Sequence, residues 1–184
     1  MTQPAQHLSG REAILLAAGR AFAKRPYAEV TIRSIAADAG VSAALVIKRF
    51  GSKEELFNIV ADFAPAADEL FDAPLPQLGR HLVITLVRMR RQRLRDPLLR
   101  AVFSLGDTDE RTLLRTRFRQ QVTARLARQL TGDLAPLRAE LITGQLLGLG
   151  AGLALHRPDG ASDKATPEQI ADLYAPGLQA LITP

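Results

Sequence analysis

The stretch "TIRSIAADAGVSAALVIKRFGSKEEL" (Thr31–Leu56) decides the fold. Thr31 precedes a short apolar-periodic segment that ends at Gly40, and Ser42 precedes a second one that reaches about Arg49. A hydroxyl before a helix and a glycine after it are typical start and stop signals. The stretch therefore predicts two short helices joined by the turn "AGV", which is a helix-turn-helix.

The second short helix carries the residues that would approach another molecule. Ile35, Val41, Val46 and Phe50 are spaced to pack against a preceding helix, which leaves one other face outward. In a helix-turn-helix that face enters the major groove, where small residues permit close approach and basic residues contact bases or phosphates. The spacing alone leaves a second interpretation open, a helical hairpin with a solvated basic end. The predicted outward residues are Ser42, Ala43, Ala44, Lys48 and Arg49.

Flanking segments also read as helices. "SGREAILLAAGRAFAK" begins with Ser9 and Glu12, a capping-box pair, and Ser52 with Glu55 forms another that opens a longer fourth helix. Further helices are expected at about 76–95, from Asp96 to Gly106, from Asp107 or Thr108 to about Leu130, at 136–156 and at 167–182. "RPDGASDKA" is expected to be a loop, and Pro176-Gly177 is expected to kink or split the last helix. No segment reads as a strand.

This pattern predicts an all-α protein of about nine helices in two domains. Residues 9–55 would form a helix-turn-helix domain after a flexible tail, residues 1–8. Residues 56–184 would form a C-terminal helical bundle.

Composition limits the function classes. The chain of 184 residues has a formal net charge of +5 and a pI of about 10.2, which favours an anionic partner. It has no cysteine, so disulfides and thiol catalysis are excluded. No signal peptide and no membrane-spanning run is recognisable, so a soluble cytoplasmic protein without a membrane partner is expected.

Residues 11–60 resemble the DNA-binding domain of the TetR family of transcriptional regulators. The signatures are "ILLAAGRAFAKRPYAEVTIRSIAADAGVS" and "FGSKEEL". The resemblance implies an all-helical homodimer on a palindromic operator in double-stranded DNA, with a small effector bound in the C-terminal domain. By position it implies phosphate contacts from Thr31 and Arg33, a groove-facing set of Ala43, Ala44, Lys48 and Arg49, and a backbone contact from Lys53.

Two positions depart from that family's pattern. Leu45 stands where the family often has Thr, and Ile47 stands where it often has Tyr. Neither side chain can offer a hydroxyl to a phosphate. Ile47 either meets a thymine methyl group, which apolar side chains can read, or packs beneath the second short helix.

The C-terminal half suggests a dimer face. "LRAELITGQLLGLGAGLALHRP" resembles the penultimate helix of one TetR subgroup, and its Gly144, Gly148 and Gly152 lie four residues apart. Each glycine costs a helix about 0.5–1 kcal/mol relative to alanine, so close helix–helix approach is expected to offset it. That approach would be to a second subunit or, alternatively, within one subunit. The leucines predicted to supply apolar area are Leu149, Leu153, Leu173, Leu178 and Leu181.

An effector pocket is expected among the helices of the C-terminal domain. Apolar lining with a few polar groups is typical of such sites, so the effector should be small and largely apolar. His81 alternatively serves as plain surface or core. The predicted pocket residues are Phe63, His81, Leu82, Arg88, Met89, Phe103, Phe118, Gln145 and Leu146.

Other charged clusters have simpler interpretations. The arginines from Arg88 to Arg95 indicate a solvated face, with an effector or second DNA contact as the alternative. Asp107, Asp109 and Glu110 favour a helix start rather than a metal site. No nucleophile–base pair, phosphate loop or metal spacing is evident, so neither an enzyme nor a cofactor is predicted. A repressor released by its effector is favoured over an architectural or nucleic-acid-binding protein without effector control, and over a helical enzyme.

Overall fold

A computed structural model describes residues 9–91, 109–155 and 160–184. These residues form helices and no strand, as predicted. The elements are α1 (Gly10–Lys24), a 3₁₀ turn (Tyr27–Glu29), α2 (Ile32–Ala39), α3 (Ala43–Phe50), α4 (Lys53–Val60), α5 (Ala64–Leu70), α6 (Leu75–Arg91), α7 (Asp109–Phe118, continuing through Arg119–Thr123 and Ala124–Gln129), α8 (Ala135–Leu155), α9 (Ala161–Lys164) and α10 (Pro167–Ile182).

The chain divides into two compact units, with unit 1 ending at Asp62 and unit 2 beginning at Phe63. This division falls after α4, whereas the sequence suggested a boundary after residue 55. Helix α4 belongs to unit 1 because its Leu56, Phe57 and Val60 are buried there. The predicted helix at 96–106 and its Phe103 lie outside the described residues.

The predicted capping boxes form. Ser9 Oγ accepts from the N–H of Glu12, and the Glu12 carboxylate accepts from the N–H of Ser9 at 2.9 Å. Ser52 and Glu55 make the same pair at the start of α4. Each box satisfies two of the N–H groups that a helix start leaves without an intrahelical acceptor, so each helix begins at a defined residue.

Helix α4 is shorter than predicted. It ends at Val60, and a separate helix, α5, begins at Ala64. Pro65 explains the break, because proline has no N–H for the carbonyl of Ala61 and its ring would clash with that carbonyl in a continuous helix. The prediction of a longer fourth helix is therefore wrong.

Unit 1 has a small apolar core. Ile14, Ile35, Val46 and Leu56, one from each helix, are fully buried. Val41, which was expected to be buried as well, is only half-buried. Three aromatic rings extend this core, because Phe22, Tyr27 and Phe57 lie with ring centroids 5.0–5.8 Å apart.

In unit 2, helices α6 and α10 pack closely along their length. The face that α10 buries repeats at three and four residues, the spacing of one helical stripe. Ion pairs from Arg80 to Asp172 and from Arg88 to Glu168 connect the same two helices at their exposed edges. The buried stripe of α10 consists of Ala171, Ala175, Leu178 and Ile182.

Two local features of unit 2 differ from the predictions. Of the kink or split expected at Pro176-Gly177, the split does not occur, because the buried stripe of α10 and the Arg80–Asp172 pair hold both halves against α6 and Pro176 itself faces solvent. Residues 161–164, expected to be loop, form the single helical turn α9. A capping box of Thr166 and Gln169 begins α10.

A buried arginine fixes the end of α10. Arg138 is only 9% exposed, and its guanidinium donates to the carbonyls of Leu181 at 3.1 Å and Ile182 at 3.2 Å. It also donates to the carbonyl of Thr131. A cation at a helix C-terminus meets the negative end of the helix dipole and satisfies carbonyls without intrahelical donors. Arg138 therefore anchors the last helix.

Candidate nucleic-acid interface

Helix α3 is delimited at both ends by backbone geometry that its sequence requires. Gly40 precedes it with φ of +67°, a left-handed conformation that only glycine adopts freely. Ser42 Oγ accepts from the N–H of Leu45 at 3.2 Å and begins the helix. Gly51 ends it with φ of +74°. These three residues set where α3 starts and stops, and so which of its side chains face outward.

The buried and exposed faces of α3 separate clearly. Val46 and Phe50 are buried in unit 1, whereas Ala44, Lys48 and Arg49 are exposed. Ala43 is half-buried at the first helical position. The exposed face thus carries small residues at its N-terminal end and two cations at its C-terminal end. This is the arrangement in which a recognition helix brings its N-terminal end close to base edges.

Ile47 lies on the exposed face of α3. It is 55% exposed, the largest exposed fraction of any large hydrophobic residue in the described part of unit 1. Since Ala43 and Ala44 lie four and three residues before it, they share its face. The interpretation that Ile47 packs beneath the helix does not hold.

Thr31 and Arg33 lie at the start of α2. Thr31 Oγ1 accepts from the N–H of Ser34 at 3.0 Å, so its hydroxyl serves as the helix cap. Arg33 is exposed in the first turn of the same helix. Free N–H groups at a helix start suit an anion, so these positions are compatible with the phosphate contacts predicted for them.

Lys53 has partners within its own unit. Its Nζ donates to the carbonyl of Tyr27 at 3.0 Å and lies 4.0 Å from the centroid of the Tyr27 ring. An ammonium has three donors, so this contact leaves hydrogen-bonding capacity for a phosphate. Tyr27 could not be identified as this partner from the sequence, because nothing in a separation of 26 residues signals the contact.

The apolar residues predicted for the effector pocket are buried in unit 2. Phe63, Leu82, Met89, Phe118 and Leu146 are all less than one tenth exposed, and the rings of Phe63 and Phe118 meet edge to face at 5.5 Å. Phe103 lies outside the described residues.

The predicted polar pocket residues lie elsewhere. His81 Nε2 is 2.8 Å from the carbonyl oxygen of Glu69. Arg88 pairs with Glu168 at the surface, and Gln145 is exposed. These three side chains are thus not gathered around one buried point.

The glycines predicted for the dimer face are open to their surroundings. A Cβ built on Gly144, Gly148 or Gly152 would meet no atom of the described chain within 4 Å. The alternative of close packing within one subunit therefore has no support. Exposed leucines continue the same face at helical spacing, namely Leu137, Leu141 and Leu155.

We name this face the glycine seam: Leu137, Leu141, Gly144, Gly148, Gly152 and Leu155. The leucines of this seam were not among the predicted dimer residues, although their three- and four-residue spacing from the glycines signals a shared face. Among the leucines that were predicted, Leu173 is 88% exposed, and Leu149, Leu153 and Leu181 are half-buried. Leu178 is fully buried within its own chain and has no surface for a partner.

Within the described ranges, no three His, Cys, Asp or Glu side chains come together as a metal site. Asp107 lies outside these ranges. No helix among the described residues combines the length and apolar character needed to cross a bilayer.

Two family models together match most of the chain. Residues 14–60 match the model described as "Bacterial regulatory proteins, tetR family", and residues 77–182 match the model described as "Tetracyclin repressor-like, C-terminal domain". No curated protein matches the chain significantly.

Comparison with solved structures also finds transcriptional regulators. A TetR-family regulator from Streptomyces coelicolor is 27% identical over 100% of both chains, with a TM-score of 0.52. The fatty acid degradation regulator FadR from Bacillus halodurans is 15% identical over 94% of this chain and 98% of its own, with a TM-score of 0.60. The regulator PfmR from Thermus thermophilus is 19% identical over 91% and 97%, with a TM-score of 0.52.

The second family model alone covers more than half of the chain, and the first covers the helix-turn-helix that α2 and α3 form. Regulators of this family bind DNA and are not enzymes, which agrees with the exposed basic end of α3. The chain belongs to the TetR family and is a DNA-binding transcriptional regulator.

Proposed function

We propose that this regulator is a homodimeric repressor that binds a palindromic operator and is released by a small, largely apolar effector bound in unit 2. The observation that carries the proposal is the outward face of α3. It presents Ala44 near its N-terminal end, Ile47 in the middle and Lys48 and Arg49 toward its C-terminal end, while Val46 anchors the helix to unit 1.

The reading of DNA follows from that face. The methyl groups of Ala43 and Ala44 allow the backbone of α3 to approach base edges, and Lys48 and Arg49 supply donors for bases or phosphates. Arg33 and Lys53, each at a helix start, are suited to the flanking phosphates. Such contacts fix the register of α3 in the groove.

The glycine seam supports a dimer. One reading helix makes few base contacts, whereas two on a symmetric dimer double them and match the two halves of a palindrome. The open glycines would let two copies of α8 approach closely, and Leu137, Leu141 and Leu173 would add apolar area. The two reading helices would then occupy half-sites about 34–36 Å apart, or a multiple of that distance.

Effector release requires two forms of the dimer with different operator affinity. An effector that binds better to the form with wrongly spaced reading helices would shift the population, with a coupling free energy of about 1–3 kcal/mol. The apolar interior of unit 2, including Phe63 and Phe118, suits an apolar ligand. The Bacillus halodurans relative regulates fatty acid degradation, so fatty acids are sensible first probes. Such a repressor would act in the cytoplasm, where the chromosome lies.

The decisive experiment selects operator sequences from a random DNA library with the full-length protein and then compares variants on the selected site. Lys48→Ala/Arg49→Ala should weaken binding by at least about tenfold, since each base contact contributes about 1–3 kcal/mol. Arg128→Ala, an exposed arginine of unit 2, is the control and should bind as the wild type does. Unchanged affinity in the double variant would contradict the assignment of α3.

A further inference from the structure

Ile47 has an environment that the fold of unit 1 does not explain. Its neighbours in the helix, Val46 and Phe50, are buried, while Ile47 is 55% exposed. Ile59 on α4 is the other large hydrophobic residue exposed in the described part of unit 1, at 43%. Removing an apolar side chain from water is favourable, so Ile47 is stabilised only when another surface covers it.

The surroundings of Ile47 limit what that surface can be. Ala43 and Ala44 precede it on the same face, so the N-terminal half of that face carries methyl groups. The polar side chain at that end, Ser42, caps the helix through its Oγ. Lys48 and Arg49 supply the hydrogen-bond donors, and both lie on the C-terminal side of Ile47.

The major groove offers one apolar feature on an unmodified base edge, the 5-methyl group of thymine. Guanine, adenine and cytosine present acceptors and donors there, which an isoleucine would strip of water without replacing their hydrogen bonds. A phosphate contact is equally unavailable to Ile47, because its side chain has no donor. Thymine is therefore the base that matches this position.

We propose that Ile47 is a specificity-determining residue that reads a thymine methyl group in each half of the operator. The inference rests on the proposed function of α3 as the reading helix and extends it to the base that α3 selects. It implies that each half-site contains a thymine at a fixed distance from the bases contacted by Lys48 and Arg49.

The test replaces single thymines of a selected operator with uracil, which differs from thymine only in lacking the methyl group. The dissociation constant of the full-length protein is measured by fluorescence anisotropy at one salt concentration for the thymine and uracil sites. At one thymine of each half-site, the wild type should lose about fourfold in affinity per half-site, the free energy of one buried methyl group.

Variants assign the effect to the side chain. Ile47→Ala should bind the thymine operator less tightly, and the ratio of its affinities for the thymine and uracil operators should be near one. Ile47→Val should keep most of the wild-type ratio. Ile59→Ala, at the other exposed isoleucine, is the matched control and should keep the ratio unchanged. Circular dichroism melting confirms that each variant is folded.

The outcomes separate the inference from the function on which it rests. A wild-type ratio near one at every thymine, or a ratio that persists in Ile47→Ala, would overturn the role of Ile47 while leaving α3 as the reading helix. A protein that selects no DNA sequence at all would overturn the proposed function and this inference with it.

Discussion

The side chain of Gln179 hydrogen-bonds to two backbone groups of helix α6, the N–H of Gly79 and the carbonyl of Leu75. Its Oε1 accepts from the N–H of Gly79 at 2.9 Å, and its Nε2 donates to the carbonyl of Leu75 at 3.0 Å. A Cβ on Gly79 would lie 3.0 Å from the backbone nitrogen of Gln179 and 2.9 Å from Oε1. The absence of a side chain at Gly79 therefore permits the close approach of α6 and α10.

Gly79→Ala should destabilise unit 2 by about 1–3 kcal/mol, the usual cost of overpacking. Alanine in a helix is ordinarily more favourable than glycine by about 0.5–1 kcal/mol. The sign of the change in the free energy of unfolding therefore shows whether the clash or the helix propensity dominates. Urea unfolding followed by circular dichroism measures the change. Gly177→Ala is the matched control, because a Cβ there meets none of the described residues within 4 Å. A more stable Gly79→Ala protein would mean that the two helices move apart at little cost.

Lys53 is expected to have two separable roles. Lys53→Met removes the contact with the Tyr27 ring and carbonyl, which should lower the stability of unit 1 by about 1 kcal/mol. It also removes one positive charge. The slope of log binding constant against log salt concentration should therefore become shallower by the amount expected for one lost phosphate contact. Lys53→Arg keeps the charge and is the control for the second effect. An unchanged salt slope in Lys53→Met would mean that this ammonium serves Tyr27 alone.

The glycine seam predicts the effect of a bulky side chain at its centre. Because a Cβ on Gly148 meets nothing within 4 Å among the described residues of its own chain, Gly148→Leu should fold normally as a monomer. In a dimer joined at the seam, the added side chain would hold the two helices apart and lower both dimer content and operator affinity. Sedimentation velocity at micromolar concentration measures this. Arg128→Leu adds an exposed leucine on α7 as the control, and a Gly148→Leu protein that dimerises normally would place the interface elsewhere.

The stability of α4 should depend on pH through Glu55. The backbone N–H and then the hydroxyl of Ser52 hydrogen-bond to its carboxylate and lower the pKa of Glu55 below its ordinary value. A carboxyl with a lowered folded-state pKa stabilises the fold fully above its unfolded-state pKa. That contribution is lost as the pH falls through the folded-state value.

We therefore expect acid to weaken the start of α4. Glu55→Gln should lose less thermal stability than the wild type between neutral pH and low pH. Thermal melts of both proteins between neutral pH and about pH 3, near the range where carboxyl groups titrate, measure the difference. Glu54→Gln, an exposed neighbour in the same turn, is the control. Identical pH profiles for wild type and Glu55→Gln would contradict the role of this carboxylate.

Local signals in the sequence were sufficient for much of unit 1. Ser9, Ser42 and Ser52 begin helices where the sequence predicts, and Gly40 adopts the left-handed conformation expected of it. Caps and turns depend on hydrogen bonds between residues three or four apart, so a few neighbouring residues are enough to predict them. The exposed face of α3 followed from the same short-range periodicity.

The sequence by itself determined the helical fold class, the helix-turn-helix and the exposure of Ala44, Lys48 and Arg49 on α3, because these depend on interactions within a few residues. Only the tertiary structure decided that Ile47 is exposed, that Lys53 contacts Tyr27 and that Leu178 is buried while Leu137 and Leu141 are not. It likewise decided that Gln179 fills the space beside Gly79, 100 residues away. Such contacts depend on how helices are rotated against one another, and a helical repeat in one segment does not specify the rotation of its distant partner.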